Sequence, residues 1–305
     1  MSLNAKNAHP RDALIEFDAG PHKYTCRGEG NYRSVTTWLH SHFQTFDADA
    51  IIKKMRLDKP SCKYYGQTPE EIKAGWDKNR DEAAAAGTEM HAAIEAFWLG
   101  MGMGGNPPGP PTNKVADALS GCAINELNHA SASPTNRGAD ALSEINTASA
   151  LCVRPSPAGG SGGVSPQFTA FVRAHPQLKP YRTEWMIFDE DVRLAGSIDF
   201  VTENPDGTLT IYDWKRCKEI KKTNSFGDFA ITDCIAHLPD TNYWHYALQL
   251  NTYKTILERK YNKKITGLFL VGLHPNLPSY QMYSVPFMVQ EMTALFYLLT
   301  PVQGC

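Results

Sequence analysis

The sequence predicts an α/β domain in which helices flank a mixed central sheet. Strand-like runs of branched and aromatic residues fill most of 181–216, and a long amphipathic helix pattern follows over 240–261. A further apolar run at 265–273 has the length of one buried strand. With a helical pattern before them, these elements give the order helix, three strands, helix and strand, which is typical of α/β folds.

The chain is long enough for one such domain. Its 305 residues are 42% hydrophobic and 10% aromatic, which supports a well-formed core. No apolar run approaches the roughly 20 residues of a membrane span, so we expect no membrane association. Seven dispersed cysteines without a C-x-x-C pair indicate free thiols in a reducing, intracellular environment. The compartment stays open, and would be the cytoplasm for a prokaryotic, phage or viral protein.

Helical signals dominate the N-terminal part, residues 1–99. The segment 34–39 is expected to lead from a strand end or turn into a helix. Thr68-Pro69-Glu70-Glu71 is a capping box with proline at the first helical position. The pattern after it is interrupted at Gly87 and then resumes, with one stripe formed by His91, Ile94, Glu95 and Trp98.

The segment 100–166 differs in composition from both of its flanks. Its ends are rich in glycine and proline, and mostly small and polar residues lie between them. Such a segment buries too little apolar surface to offset the entropy of ordering. We predict a low-complexity, largely disordered insertion, with short helices near 114–129 and 139–150. It interrupts one structural domain whose core occupies 167–305.

The remaining elements follow in order within that core. Strands are expected at Tyr181–Phe188, Val192–Val201 and Thr208–Arg216. The turn Asn204-Pro205-Asp206-Gly207 is a hairpin signal between the second and the third. The later elements are a helix from Asp240 to about Tyr261, a strand at Ile265–Leu273 that pairs with Tyr280–Val285, and a final helix from Pro286 to about Leu299.

The third strand carries an unusual pair of charges. Residues two apart in a strand share a face, so Ile211, Asp213 and Lys215 point the same way. A buried charge needs a partner or a ligand. A plain ion pair between Asp213 and Lys215 is the ordinary explanation of this pattern, and a catalytic pair is the alternative.

The second strand adds Asp199, whose position depends on the hairpin register. A three-residue loop at 205–207 would place Asp199 opposite Asp213. Opposed side chains lie about 4.5–5.5 Å apart, and two carboxylates so close require a cation such as Mg²⁺ or Mn²⁺. A two-residue loop would instead place Asp199 opposite Trp214 and remove the site.

Two helices add polar pairs at a spacing of four residues. His91 and Glu95 share one helix face, and Gln249 and Tyr253 share another. A satisfied histidine and a half-buried amphipathic pair are the ordinary explanations. Glu184, in the first strand, fits a surface carboxylate, but we also include it among the catalytic candidates.

Net charge of −2 and an isoelectric point near 6.5 argue against nucleic-acid binding by overall charge. Local basic clusters can still hold a few phosphates, although such a cluster is more often a solvated face. The clusters are Lys53, Lys54 and Arg56; Lys215, Arg216, Lys218, Lys221 and Lys222; and Arg259, Lys260, Lys263 and Lys264.

Four motifs in this order resemble one family. They are Gly87-Thr88-x-x-His91-x-x-x-Glu95, Gly196-Ser197-x-Asp199, Asp213-Trp214-Lys215 and Gln249-x-x-x-Tyr253. Their order and spacing resemble the RecB-like exonuclease branch of the PD-(D/E)XK nuclease superfamily, over roughly 80–100 and 180–275. The resemblance implies a restriction-endonuclease-like core.

The resemblance also implies a role for each matching residue. His91, Asp199, Asp213 and the carbonyl of Trp214 would bind Mg²⁺ or Mn²⁺, and Lys215 would lie beside the scissile phosphate. The catalytic candidates are Lys215, Asp213, Asp199 and Glu184, and the residues expected to orient the site or contact DNA are Gln249, Tyr253, Glu95 and Arg216. Some relatives hold an iron–sulfur cluster through a late group of three cysteines, which this chain lacks, so we expect no cluster.

The resulting hypothesis is metal-assisted hydrolysis of DNA phosphodiester bonds in replication, repair or recombination. Exonuclease action rests on family analogy alone. A structure-selective endonuclease, an RNA-directed nuclease and a non-catalytic DNA-binding or scaffold protein of the same fold stay open. So does a Ca²⁺ protein that uses Asp199 and Asp213. DNA is the expected partner, and a helicase or recombination protein is a further candidate.

Overall fold

The computed structural model describes residues 2–101, 163–224 and 227–300. The predicted insertion at 100–166 lies almost entirely outside them, as do its two predicted short helices. Among the described residues the helices are α1 (Leu3–Lys6), α2 (Val35–His40), α3 (Ala48–Lys54), α4 (Pro69–Met101), α5 (Pro166–Ala174), α6 (Asn242–Lys260) and α7 (Val289–Leu299). The strands are β1 (Ile15–Asp18), β2 (Lys23–Cys26), β3 (Glu29–Ser34), β4 (Pro180–Asp189), β5 (Leu194–Glu203), β6 (Leu209–Lys215), β7 (Ile265–Gly272) and β8 (Gln281–Ser284).

The strands of the described chain form one mixed sheet. Its order is β1-β2-β3-β5-β6-β7-β8, and β4 pairs with β5. The β3–β5 and β6–β7 pairs are parallel and the others are antiparallel. The predicted fold class is confirmed, and each strand and helix predicted between 181 and 299 is present, with its ends shifted by a few residues.

The N-terminal part, predicted to be helical, also contributes three strands to this sheet. β1 and β2 alternate between more and less buried positions over only four residues each, the shortest run that indicates a strand, and β3 contains no buried residue. β3 reaches the core by pairing Arg33 with Leu194 and Ser34 with Ala195. Ser34 then begins α2 as predicted, because its Oγ accepts a hydrogen bond from the backbone N–H of Thr37 at 3.0 Å.

The helix α4 runs without interruption for 33 residues. Its predicted capping box is present: Thr68 Oγ1 accepts from the N–H of Glu71 at 3.2 Å, and Glu71 Oε2 accepts from the N–H of Thr68 at 2.8 Å. The predicted interruption at Gly87 is wrong, since one glycine costs a helix interior only about 1 kcal/mol. None of the described helices combines the length and the apolar character needed to cross a membrane.

Two apolar clusters hold the helices to the sheet. One contains Trp98 of α4 and Phe171 of α5 together with Trp214 of β6. The other contains Leu250 of α6 together with Ile211 of β6. Strand β6 therefore lies between α4 and α6, and both helices can direct side chains to the end of that strand.

Candidate metal centre

The site lies where the edge of β5 is shared between two strands. β3 pairs with Leu194 and Ala195 at the start of β5, whereas β6 pairs with β5 only from Phe200 onward. β4 occupies the opposite edge along nearly the whole strand. The segment 196–199 therefore faces a fork between β3 and β6. Side chains from other elements can approach this unpaired edge, whereas a neighbouring strand would exclude them.

The hairpin register brings two acidic residues together at this fork. Phe200 pairs with Tyr212, and the backbone of Asn204 pairs with Thr208 around a three-residue loop. The same register places Asp199 opposite Asp213, so the register that the metal prediction requires is confirmed.

Asp199 also makes a specific contact with β6. Its Oδ2 accepts a hydrogen bond from the backbone N–H of Trp214 at 2.8 Å. Burial raises the pKa of Asp199, while nearby His91 opposes that rise. One carboxylate therefore orders the end of β6 and carries a charge that is costly to bury.

His91 reaches the same point from α4. Its Nε2 lies 3.0 Å from the carbonyl oxygen of Trp214, and its Nδ1 lies 3.6 Å from Asp199 Oδ2 and 3.7 Å from Glu184 Oε1. The buried Nδ1 has no hydrogen-bond partner among the described residues. Burial lowers the pKa of His91, but the carboxylates of Asp199 and Glu184 outweigh burial and raise the pKa to about 9.

Glu184 points into the site and not to the surface, so the expectation of a surface carboxylate is wrong. The neighbouring pairs Thr183–Phe200 and Trp185–Ile198 place it opposite Asp199. Its side chain is 12% exposed, and its φ of 44° lies in a region that non-glycine residues rarely adopt. A regular strand pattern does not predict that backbone.

A second contact holds the Glu184 carboxylate in place. Ser197 Oγ donates a hydrogen bond to Glu184 Oε2 at 3.2 Å. Burial raises the pKa of Glu184, and the charge of Glu95 adds to the rise. Glu95, predicted to orient the site, is partly buried and acts on it through this charge.

His91, Glu184 and Asp199 together fit a divalent cation. One ligand atom from each lies within 4.8 Å of the others. Two buried carboxylates repel each other unless a cation lies between them, and the unpartnered Nδ1 of His91 adds a nitrogen ligand. A metal-binding histidine commonly donates its other ring N–H to a carbonyl. The carbonyl of Trp214, predicted as a ligand, accepts a hydrogen bond from His91 Nε2.

Asp213 and Lys215 form an ion pair beside these three residues. Lys215 Nζ lies 2.7 Å from Asp213 Oδ2, and both side chains are at least 97% buried. Burial raises the pKa of Asp213 to about 6, with a smaller rise from Asp199 and an opposing effect from Lys215. The ordinary ion pair is therefore present, next to the candidate metal ligands, and it is also the contact that a catalytic pair would make.

Gln249 and Tyr253 of α6 support that lysine. Lys215 Nζ donates to Gln249 Oε1 at 3.2 Å, and Gln249 Nε2 donates to the hydroxyl of Tyr253 at 3.0 Å. The ring of Tyr246 lies under the ammonium, 4.5 Å from ring centroid to Nζ. Gly196 makes room for Tyr253, because a Cβ atom there would lie 2.8 Å from Tyr253 Cε1. Gln249 and Tyr253 are both buried, so the expectation of a half-buried pair is wrong.

Two further basic groups lie at the margin of the site. Arg216, predicted to orient the site or contact DNA, is partly buried just past the end of β6. Burial of His274, and then the charge of Arg216, lower the pKa of His274. His40, absent from the sequence analysis, has its pKa lowered to about 4 by burial and by the charges of His245 and Lys215. His245 lies four residues before Gln249 on α6, so this helical spacing could have identified His245 as a neighbour of the site.

Comparison with known proteins bears on this arrangement. The profile of the PD-(D/E)XK nuclease superfamily matches residues 61–294, a range that contains all the residues of the site except His40. A solved structure from Eubacterium rectale, provisionally named an exonuclease, is similar at 13% identity and a TM-score of 0.25. That similarity covers 39% of this chain and 41% of the other, so the chain spans about two fifths of that protein's length. No curated protein matches the sequence.

The profile covers more than half of the chain, and the mixed sheet with helices on both faces is consistent with the fold of that family. The chain belongs to the PD-(D/E)XK nuclease superfamily and has its restriction-endonuclease-like core.

Proposed function

We propose that the protein is a divalent-metal-dependent nuclease that hydrolyses DNA at the fork between β3 and β6. One observation carries the proposal: the unpartnered Nδ1 of His91 lies between the carboxylates of Asp199 and Glu184, with the ammonium of Lys215 close by. Opposite charges that are otherwise costly to bury are thereby gathered at one point.

His91, Asp199 and Glu184 would hold the cation, and Asp213 is the next candidate ligand. When bound, Mg²⁺ or Mn²⁺ neutralises charge on the scissile phosphate and makes water a stronger nucleophile. His91 must bind as the neutral imidazole with its proton on Nε2, so that Nε2–H donates a hydrogen bond to the carbonyl oxygen of Trp214. The strained backbone of Glu184 and its bond to Ser197 would keep the third ligand pointed inward.

Lys215 supplies the fixed positive charge of the mechanism. Asp213, Gln249 and the ring of Tyr246 hold its ammonium from three sides. An ammonium fixed beforehand stabilises charge that develops on the phosphate without reorganising during the reaction. Asp213 and Gln249 therefore act as positioning residues for Lys215, and Tyr253 positions Gln249 in turn.

DNA and exonuclease action are the finer parts of the proposal, and analogy with the family supports both. Exposed lysines at 218, 221 and 222 follow directly after Lys215 and suit a nucleic-acid backbone. A structure-selective endonuclease and an RNA-directed nuclease are the rivals. A non-catalytic scaffold is disfavoured, because a decayed site is expected to lose a charge and this one keeps them all. No described residue argues for a helicase partner.

The decisive experiment is an end-labelled nuclease assay on single- and double-stranded DNA with Mg²⁺, Mn²⁺ or EDTA. We expect metal-dependent cleavage that Lys215→Ala abolishes and Lys264→Ala retains. Lys264 is an exposed lysine at the opposite end of β6, where its carbonyl accepts from Leu209. Cleavage by Lys215→Ala at the wild-type rate, or full cleavage in EDTA, would overturn the proposal. Mononucleotide products indicate an exonuclease, internal fragments an endonuclease, and cleavage of RNA alone an RNA-directed enzyme.

A further inference from the structure

The N-terminal half of α4 carries a small apolar core of its own. Ile52, Ile72 and Trp76 are buried together, separate from the clusters that flank the sheet. Trp76 Nε1 donates a hydrogen bond to the hydroxyl of Tyr64 at 2.9 Å. We call the unit made of α3, the connecting segment 55–68 and α4 up to Trp76 the helical arm. Its core fixes the connecting segment to α4 by contacts that the catalytic site does not share.

The arm stands at a defined distance from the candidate metal centre. Trp76 and His91 are fifteen residues apart on one unbroken helix. At about 1.5 Å of rise per residue, this separates the arm core from the site by about 22 Å. Because Tyr64 is hydrogen-bonded to Trp76, its neighbours Lys63 and Tyr65 lie at about the same distance from the site.

Positive charge is concentrated on the connecting side of the arm. Five basic residues and one acidic residue lie between positions 53 and 63 of a chain whose net charge is −2. The lysines at 53, 54, 59 and 63 are exposed, and none has an ion-pair partner in the part of the chain that the structure describes. Of the acidic residues elsewhere on the arm, Asp49 is paired with Lys73, and the carboxylate of Glu71 accepts the backbone N–H of Thr68 at the start of α4.

The basic cluster at 259–264 differs in this respect. Arg259 Nε lies 2.9 Å from Asp189 Oδ2, and Lys260 Nζ lies 2.7 Å from Asp191 Oδ2. Those charges already hold α6 to the end of β4. The arm also presents Tyr65, which is 55% exposed and follows Lys63 by two residues. Free lysines next to an exposed aromatic ring are the usual components of a nucleic-acid surface.

We propose that the helical arm is a second binding surface for the DNA backbone, distant from the bond that is cut. The proposal rests on the proposed function for the identity of its ligand. With about 3.4 Å per nucleotide along one strand, 22 Å corresponds to about six or seven nucleotides. Short substrates would occupy the metal centre alone, and longer ones would also reach the arm.

The first test measures binding without catalysis. Fluorescence anisotropy in EDTA would follow a labelled DNA of about 30 nucleotides with the triple variant Lys54→Gln, Lys59→Gln, Lys63→Gln. Its matched control is Lys6→Gln, Lys23→Gln, Lys264→Gln, which removes three equally exposed charges elsewhere. We expect the arm variant to raise Kd about tenfold and to lower the salt slope by about 0.9 for each phosphate that is no longer neutralised, with the control unchanged. Equal effects in both variants, or none in either, would overturn the proposal.

The second test measures substrate length. Wild-type kcat/KM should rise when the DNA is extended from about five to about 30 nucleotides, because only the longer DNA spans about 22 Å. The arm variant should lose that rise and cleave the short DNA at the wild-type rate. An equal loss of kcat/KM on both lengths would refute a binding surface that is distant from the metal centre. If no DNA is cleaved, the nuclease proposal fails, and arm-dependent binding in the first test still decides this one.

Discussion

A Cβ atom on Gly196 would lie 2.8 Å from Cε1 of Tyr253 and 3.2 Å from its hydroxyl oxygen. The glycine is thus required by the residue that positions Gln249, which in turn holds Lys215. In the motif Gly196-Ser197-x-Asp199 the glycine therefore preserves a packing contact behind the site, and Asp199 is the candidate ligand.

Gly196→Ala should disturb the site through that contact. Overpacking a rigid core costs about 1–3 kcal/mol, and we expect a loss of that size in urea unfolding with a larger proportional loss of kcat. Gly75→Ala is the control, since nothing lies within 4 Å of its added methyl group on α4. That change should stabilise the protein by about 0.5–1 kcal/mol. Full activity of Gly196→Ala would show that Tyr253 tolerates displacement.

Metal binding should stabilise the wild type through the buried carboxylates. At a cation concentration 100 times Kd, the expected gain is about 2.7 kcal/mol, visible as a rise in Tm. Glu184→Gln should lose most of that rise. Because burial disfavours the charged form of Glu184, the metal-free variant should be no less stable than the metal-free wild type. An undiminished rise would exclude Glu184 as a ligand.

Proton binding by His91 should make the metal-free protein sensitive to pH. Its pKa rises from an ordinary 6.5 to about 9 in the folded state, so the protonated form favours folding. The contribution is complete below pH 6.5 and is lost as pH rises through about 9. Thermal unfolding in EDTA should show this decline, and His91→Gln should lack it.

The same proton competes with the cation. Metal binding requires the neutral imidazole, so apparent affinity should increase about tenfold per pH unit below pH 9 if one proton is released. Calorimetry in buffers of different ionisation enthalpy would count that proton. Affinity that does not change between pH 6.5 and 8.5 would place the cation away from His91.

Removing one member of the Asp213–Lys215 pair should cost both stability and activity. Breaking a buried pair costs about 3–5 kcal/mol because the remaining charge is unpaired, although Asp213 can relieve part of this by taking up a proton. Lys215→Met should therefore be less stable than wild type, and kcat should fall by about 10²–10³.

The double variant Asp213→Asn, Lys215→Met separates the two effects. It removes both charges, so its stability should return toward that of the wild type while kcat stays as low as in Lys215→Met. Recovery of cleavage in the double variant would mean that neither residue takes part in the chemistry.

Local rules predicted much of the core that carries the site. The hairpin turn at 204–207 limited β5 and β6 to two registers, and the three-residue loop of the structure selects the one that opposes Asp199 and Asp213. The four-residue spacing of Gln249 and Tyr253 correctly predicted a shared helix face, on which they bond to each other. In both cases the interacting residues are close in sequence.

Long-range pairing and unusual backbone geometry were not predictable in this way. β3 joins β5 across about 160 residues of chain through only two residue pairs, which no periodic pattern encodes. Glu184 points inward with a φ of 44° that its neighbours do not suggest. The acceptor role of the Trp214 carbonyl depends on the rotamer of His91, which sequence spacing leaves open.

The fork also imposes an order on the assembly of the site. Its side chains come from α4, β4, β5, β6 and α6, so they span residues 91 to 253. A growing chain on the ribosome cannot hold Lys215 in place until α6 has emerged, even though His91 was synthesised long before. The proposed nuclease activity therefore cannot arise until α6 has been synthesised and packed against the sheet.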